Sequence, residues 1–247
     1  MQKIVLLTDE RGKRYLAKPE GEMTAVRGLG TIRSDSLDEA LKSGQLAIGS
    51  KIFSIRVASI DDIISAMDRK AQMLTTKDIA MIVHHCDIRP GSNVVEGGAG
   101  SGALSIAVLA RIGPGGRLTT YELREDFADI ARRNIEYASL SERWTLKMGD
   151  ICETIEERDI DAVLLDIPNP WDCTAQAKLA LRSGGAFCAF VPNVNQVESA
   201  VRALRAGSFS DVRTLENLQR EMVVHDGGVR PSHEMLGHTG YLVLARK

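Results

Sequence analysis

The segment Val94-Val95 runs into Glu96-Gly97-Gly98-Ala99-Gly100-Ser101-Gly102, and a helical pattern opens directly after it. A glycine turn between a strand and a helix lets backbone approach a ligand closely at the helix start. The pyrophosphate-binding form of such a turn reads GxGxxG. Here an acid leads, followed by Gly98, Gly100 and Gly102 at every second position. A carboxylate repels a pyrophosphate and suits a cation. We therefore expect Glu96, Gly98, Gly100, Ser101 and Gly102 to hold a cofactor with an ammonium group, such as the methionine end of S-adenosylmethionine. The plainer reading is a turn that only joins strand to helix.

Three further acids follow strand-like runs. Glu122 comes about 20 residues after the glycines, where a carboxylate can accept hydrogen bonds from both ribose hydroxyls. It can also simply cap the helix that begins near Arg124. Asp150, in Met148-Gly149-Asp150-Ile151, can bind the exocyclic amine of an adenine or serve as a turn residue. Asp166 ends Ala162-Val163-Leu164-Leu165 and opens Asp166-Ile167-Pro168-Asn169-Pro170-Trp171. Two prolines stiffen that turn and remove backbone donors. Trp171 offers a flat face. An acid, a rigid corner and an aromatic can together grip a nucleobase, by stacking and by a hydrogen bond from its amino edge. The turn is similar to the Asp-Pro-Pro-Tyr turn of amino-directed DNA methyltransferases. The bland alternative makes Asp166 a helix-start acid and Trp171 a core residue.

The elements that must place these residues alternate. Strands are expected at Asn93–Glu96, Arg117–Glu122, Trp144–Met148, Asp161–Asp166, Ala186–Val191, Val212–Leu218 and Tyr241–Ala245. Helices are expected at Thr76–Cys86, Ser101–Arg111, Arg124–Ala138, Cys173–Arg182 and Asn195–Ala206. Ser183-Gly184-Gly185 should close the fourth of these. Such alternation predicts an α/β fold with a doubly wound, mainly parallel seven-stranded sheet, the last two strands closing it as an antiparallel pair. Carboxylates at successive strand ends then line one crevice, where open sheets bind ligands. Before this, Lys3–Thr8, Arg14–Ala17 and Lys51–Ser59 read as strands among glycine turns, and Asp61–Met67 as a helix. We divide the chain into a small N-terminal β domain, residues 1–62, and a larger domain, residues 63–247.

Bulk properties set the class. The 247 residues are 44% hydrophobic and 26% charged, ordinary for a globular protein. No apolar run approaches the roughly 20 residues a membrane helix needs, and the N-terminus does not read as a signal peptide. Cys86, Cys152, Cys173 and Cys188 share no CxxC spacing, so neither a metal site nor a redox pair is expected. Isolated cysteines fit a reducing, cytoplasmic setting. The net charge of −2 argues weakly against nucleic-acid binding but allows a local basic patch. Arg11, Lys13, Arg14 and Lys18 can touch phosphates or form a solvated face.

Four stretches carry a family resemblance: Ala71-Gln72-Met73-Leu74-Thr75-Thr76-Lys77-Asp78, the glycine turn within 94–105, Asp166–Asp172, and Gly237-His238-Thr239-Gly240-Tyr241-Leu242-Val243. Together they resemble the S-adenosylmethionine-dependent tRNA adenine-N1 methyltransferases that act on T-loop position 58, in some members also 57. The resemblance spans nearly the whole chain. It implies a Rossmann-like class I methyltransferase domain. Gln72 and Thr75 would lie over the methionine part of S-adenosylmethionine. Asp166 would be the catalytic acid that also meets the cofactor. Pro168, Asn169, Pro170, Trp171, His238 and Thr239 would face the target. The resemblance further implies tRNA as partner and a homotetramer. Family members usually carry an aromatic before the Lys-Asp pair, where this chain has Leu74-Thr75-Thr76.

Three other readings compete. The same fold serves methyltransferases of isoaspartyl groups and of corrinoid precursors, though the Asp166–Trp171 turn favours a base. A non-catalytic RNA-binding subunit is expected to lose the glycine turn and the acid, and both are present. A metal site at His233-Glu234-Met235-Leu236-Gly237-His238 fails on spacing, because histidines five apart do not share a helix face.

Overall fold

The computed structural model of the chain describes residues 3–67 and 74–247. The N-terminal part holds β1 (Val5–Thr8), β2 (Arg14–Ala17), β3 (Met23–Val26), β4 (Gly30–Arg33), α1 (Ser34–Ser43), β5 (Gln45–Ile48) and β6 (Lys51–Val57). The β1–β2 hairpin forms as expected, and Asp9 Oδ1 accepts from the N–H groups of Arg11 and Lys13 across its turn. β2, β1, β6 and β5 make an antiparallel sheet in that order, and β3 pairs with β4. Helix α1 was not expected in what reads as a β module. Its Leu37 and Ala40 pack on Val5, Leu7 and Phe53, and Gly44 ends it in the left-handed region. The helix lays an apolar stripe of Leu37, Ala40 and Leu41, spaced i, i+3 and i+4, on that sheet, a local signal passed over among the surrounding glycines.

A capping box at Ser59 and Asp62 starts α2 (Ile60–Ala66). Asp62 is 3% exposed and accepts from Arg56 at 2.6 and 2.8 Å. Its neighbours Ile63 and Ile64 turn into the core of the larger part.

The larger part runs α3 (Thr76–His85), β7 (Asn93–Gly97), α4 (Ala103–Ile112), β8 (Arg117–Glu122), α5 (Glu125–Tyr137), β9 (Trp144–Met148), β10 (Ile160–Leu165), α6 (Thr174–Ala180), β11 (Leu181–Val191), α7 (Val194–Ala206), β12 (Ser210–Glu216), β13 (Met222–His225), β14 (Gly228–Pro231) and β15 (Tyr241–Arg246). Seven strands form one sheet in the order β12-β15-β11-β10-β7-β8-β9. β11, β10, β7, β8 and β9 are parallel, and β15 runs against both its neighbours. Alternate residues build a core on each face. Val94, Leu118 and Leu164 pack with α3 and α4, while Val95, Val163 and Phe187 pack with α6 and α7. This is the doubly wound α/β sheet that the alternation predicts.

Three local expectations are corrected. The helix expected at Cys173–Arg182 is a 3₁₀ turn, Pro170–Cys173, followed by the short α6. Leu181 and Arg182 already belong to β11, and Ser183–Gly185 bulge within that strand: Ile160 faces Leu181, yet Ala162 faces Ala186. The end of the chain causes this, because Gly184 N–H donates to Lys247 O and Lys247 N–H donates to Gly185 O. Next, the cysteines are not all isolated. Cys152 and Cys173 form a disulfide, while Cys86 and Cys188 are buried free thiols. A separation of 21 residues hides that pairing from spacing rules. Finally, β13 and β14 form a hairpin that sequence did not reveal, with every residue exposed.

Among the described residues no helix is long and apolar enough to cross a membrane, and no cluster of metal-ligating side chains occurs.

Candidate active site at the strand tips

The sheet delivers the tips of β7, β8, β9 and β10 to one crevice. Backbone bonds continue the ladder past the strand ends. Gly98 N–H donates to Tyr121 O, Asp166 N–H to Gly97 O, and Gly149 N–H to Glu122 O. The crevice measures about 370 Å³ and is walled by Gly98, Gly100, Glu122, Asp150 and Asp166, with Tyr121, Leu123, Arg124, Phe127, Ile151, Ile167, Pro168 and Asn169 between them. That volume suits a small-molecule ligand. A larger hollow of about 560 Å³ between Lys18 and Tyr137 lies away from the strand tips and gathers none of these acids.

The glycine turn is shaped by contacts that only glycine permits. Gly98 has φ +88°, and a Cβ there would sit 2.4 Å from the Asp166 carbonyl oxygen. The tips of β7 and β10 therefore touch backbone to backbone. Glu122, 8% exposed, spans the turn: Oε2 accepts from Ala99 N–H at 2.9 Å and Oε1 from Arg124 N–H at 2.9 Å. Both oxygens keep lone pairs for further donors. Asp150 Oδ1 accepts from Cys152 N–H at 2.8 Å, and among the described residues Oδ2 has no partner. These acids and the close backbone turn fit a ligand rich in donors, such as a ribose with an amino-bearing base.

Glu96 does not wall the crevice. It is 1% exposed, and Oε2 accepts from Ser105 Oγ at 2.5 Å and Thr120 Oγ1 at 2.7 Å. Trp144 Nε1–H donates to the same Thr120 oxygen. Burial pushes the Glu96 carboxyl up to about 7 against the lowering effect of the two hydroxyls, and the negative Asp166 and Glu122 add to the rise. Its Oε1 is buried with no hydrogen-bond partner, so a proton on that oxygen relieves the burial cost. Ser101 is likewise buried with an unpartnered hydroxyl. Gly102 caps α4 and packs on Ala131 of α5. The expected cofactor residues thus separate into a crevice group (Gly98, Gly100, Glu122, Asp150, Asp166) and a supporting group (Glu96, Ser101, Gly102).

Among the described residues, the Asp166 carboxylate has no hydrogen-bond partner, and it opens onto the crevice. Asp166 is an exposed residue, so although the crevice walls push its carboxyl up to about 6 through desolvation, water screens much of that cost. The turn behind it is rigid. Gln196 Nε2 donates to Pro168 O at 2.9 Å, Asn169 Nδ2 to Asp172 Oδ2 at 2.6 Å, and Thr174 Oγ1 to Trp171 O at 3.0 Å. Pro168 and Asn169 reach the crevice wall. Pro170 is buried, and the half-buried Trp171 does not line the crevice.

A second group lies between the start of α3 and the start of β15. Lys77 Nζ donates to Asp78 Oδ1, Asn217 O and Thr239 Oγ1, each at 2.7 Å. Thr75 Oγ1 donates to Asp78 Oδ2 at 2.8 Å. Thr75 and Thr239, far apart in sequence, are thereby joined through Asp78 and Lys77. His238 bridges Glu216 Oε1 at 2.7 Å and Pro192 O at 2.9 Å. Two acceptors around one imidazole favour its doubly protonated form, and the Glu216 carboxylate raises its pKa. Gln72 lies outside the described residues. Sequence reasoning did not single out Lys77; a Lys-Asp pair in the first turn of a helix was the available signal. Lys77→Met should strand Asp78, which is 1% exposed. A loss of about 3 kcal/mol is expected for breaking a buried ion pair from one side, seen as a melting temperature lower by roughly 10 °C. An unchanged melting temperature would show the latch to be dispensable.

Of the basic residues read as phosphate contacts or a solvated face, Arg14 reaches toward Asp62 and Lys18 pairs with Glu20. Arg11 and Lys13 remain exposed.

Comparison with known proteins agrees with this architecture. Residues 63–228 match the family described as the tRNA methyltransferase complex GCD14 subunit. The chain is 35% identical to the tRNA (adenine(57)-N(1)/adenine(58)-N(1))-methyltransferase TrmI of Methanocaldococcus jannaschii, over 98% of this chain and 94% of that one. It is 31% identical to the tRNA (adenine(58)-N(1))-methyltransferase TrmI of Thermus thermophilus, over 98% and 96%. Among solved structures, a protein of Thermotoga maritima described as a SAM-dependent O-methyltransferase superposes with a TM-score of 0.85 at 30% identity, over 100% of this chain and 93% of that one. With the strand-tip crevice, the glycine turn and the family match all falling in the same stretch of sequence, the chain belongs to the tRNA methyltransferase complex GCD14 subunit family.

Proposed function

We propose that the chain transfers a methyl group from S-adenosylmethionine to N1 of an adenine in the T-loop of tRNA, at position 58. The observation that carries this reading is the Asp166 carboxylate, unpartnered among the described residues and held by a proline-stiffened turn on the crevice that Glu122 and the glycine turn also wall. When bound, S-adenosylmethionine supplies an electrophilic methyl on a sulfonium. Glu122 would accept from its ribose hydroxyls, Asp150 would accept from its adenine amino group, and Gly98 and Gly100 would let the backbone come close. The fit rests on these residues rather than on Glu96. Gln72 and Thr75 remain assigned to its methionine end by resemblance.

The target adenine must leave its stack to reach the crevice. Its N1 lone pair attacks the methyl, and positive charge develops on the ring. Asp166, as the anion, accepts from the N6 amino group and stabilises that charge where it forms. Pro168 and Asn169 fix the corner against which the base is seated, Pro170 stiffens it, and Trp171 supports it from behind. The His238–Thr239 loop closes the target side through the Lys77 latch.

The M. jannaschii relative is named for positions 57 and 58 and the T. thermophilus one for 58. The Thermotoga maritima protein is described as an O-methyltransferase, but the acid-proline turn here suits an amino-bearing base. Exposed apolar residues on the β13–β14 hairpin, among them Val224 and Val229, support assembly into a homotetramer that grips tRNA with more than one subunit. We read the protein as cytoplasmic, with the 62/63 domain boundary inside α2, where Asp62 faces the N-terminal arginines and Ile63 faces the larger core. A cytoplasmic disulfide is compatible with lineages that keep such bonds inside the cell.

Incubation with labelled S-adenosylmethionine and unmodified tRNA, followed by mapping of the labelled base, tests the proposal. Label at adenine N1 in the T-loop is expected, and label elsewhere or none would sink it. The reaction should also depend on pH in one direction. With the Asp166 carboxyl at about 6, the required anion is lost as pH falls, so kcat/KM should drop about tenfold per unit below pH 6. A flat profile from about pH 5 to pH 7 would separate Asp166 from the reaction.

A further inference from the structure

Two walls of the crevice are joined by a covalent bond. Asp150 and Ile151 lie on one side and Asp166–Asn169 on the other. Cys152 directly follows the first pair, and Cys173 ends the 3₁₀ turn that follows the second. Their disulfide closes the segment containing all of β10. Among the described residues, no hydrogen bond or ion pair runs directly between residues 149–154 and residues 166–173. Each segment is anchored elsewhere: Gly149 donates to Glu122 O, and Pro168 O accepts from Gln196. Only shared apolar packing, with Ile151 and Ile167 in the same core, otherwise relates them.

We propose that the Cys152–Cys173 disulfide is a positioning cross-link of the methyl-transfer site. It fixes the spacing between the loop that would grip the donor's adenine and the turn that would present the target base. The inference rests on the functional reading above. Neither cysteine needs to touch a reactant, since the bond acts through Asp150 and Asp166.

Cys173 is fully buried and Cys152 only half-buried, so an external thiolate attacks at Cys152 Sγ. The Cys173 thiolate leaves and takes a proton. The second thiol of a small dithiol then resolves the mixed disulfide, releasing Cys152 as a thiol. One dithiol is oxidised to its cyclic disulfide, and two electrons and two protons pass to the protein.

The test compares oxidised protein, dithiol-reduced protein and the double variant Cys152→Ala, Cys173→Ala, well below their melting temperatures. Donor affinity is read by calorimetry without tRNA, and kcat and KM are read with tRNA. The reduced protein and the double variant should both bind S-adenosylmethionine about tenfold more weakly and lose a similar factor in kcat/KM, as loosened positioning costs. Reoxidation should restore the wild type, and dithiol should leave the double variant unaffected. A lower melting temperature with donor affinity and kinetics unchanged would overturn the proposal, leaving the bond a staple only. Failure of oxidised protein to methylate any tRNA adenine would instead overturn the functional reading, while donor affinity still decides the role of the cross-link.

Discussion

Asp166→Ala is expected to lower tRNA methylation about a hundredfold or more, the usual cost of removing a group aimed at developing charge. S-adenosylmethionine affinity should stay within about twofold if the acid acts mainly on the target base. Isothermal titration and single-turnover methylation separate the two effects. Unchanged turnover would remove Asp166 from the chemistry. A second consequence concerns stability. The folded-state carboxyl is raised to about 6, so its contribution to stability is full below the ordinary carboxylate range and is lost as pH rises through 6. Because solvent screens this exposed residue, Asp166→Asn should raise the melting temperature at pH 8 only slightly relative to wild type and leave it unchanged at about pH 4. A site that is costly to keep charged, and is more stable without the charge, is what a functional carboxylate predicts.

Gly98→Ala should be nearly as damaging, by another route. The new methyl would lie 2.4 Å from the Asp166 carbonyl oxygen and 3.1 Å from Ile167 Cγ2, at φ +88°. Backbone cannot yield as a flexible side chain does, so the tips of β7 and β10 must part. We expect a loss of about 3 kcal/mol in stability from overpacking and left-handed strain, and a more than tenfold loss of donor affinity as the crevice opens. Gly100→Ala is the control. Its φ is +51°, but a Cβ there meets nothing within 4 Å, so only about 1 kcal/mol of backbone preference is lost. Equal effects of the two substitutions would show that conformational freedom, rather than close approach, is what the turn requires.

The difference between these glycines illustrates what could be read in advance. Glu96, Gly98, Gly100 and Gly102 look equivalent in a pattern of alternating positions. Folded, Gly98 touches β10, Gly100 borders open crevice, Gly102 supports a helix contact, and Glu96 turns away toward Ser105 and Thr120. A strand's period of two sends Glu96 to the face shared with Val94 and Leu164, but only packing decides whether that face is crevice or core. Trp171 is a similar case. An aromatic after a proline turn suggests stacking, yet the 3₁₀ turn rotates it out of the crevice wall. The bulge in β11 was hidden because the chain end that causes it is distant in sequence.

Local chemistry by itself determined the alternation of strands and helices, the acids at the strand ends, the glycine turn and the stiff corner after Asp166, because each depends on neighbours within one turn or one strand. Tertiary structure alone decided the β13–β14 hairpin, the Lys77 latch to Thr239 and the Cys152–Cys173 bond. Those depend on contacts between segments whose approach is set by how the sheet orders its strands, and no residue carries that order in its own type or spacing.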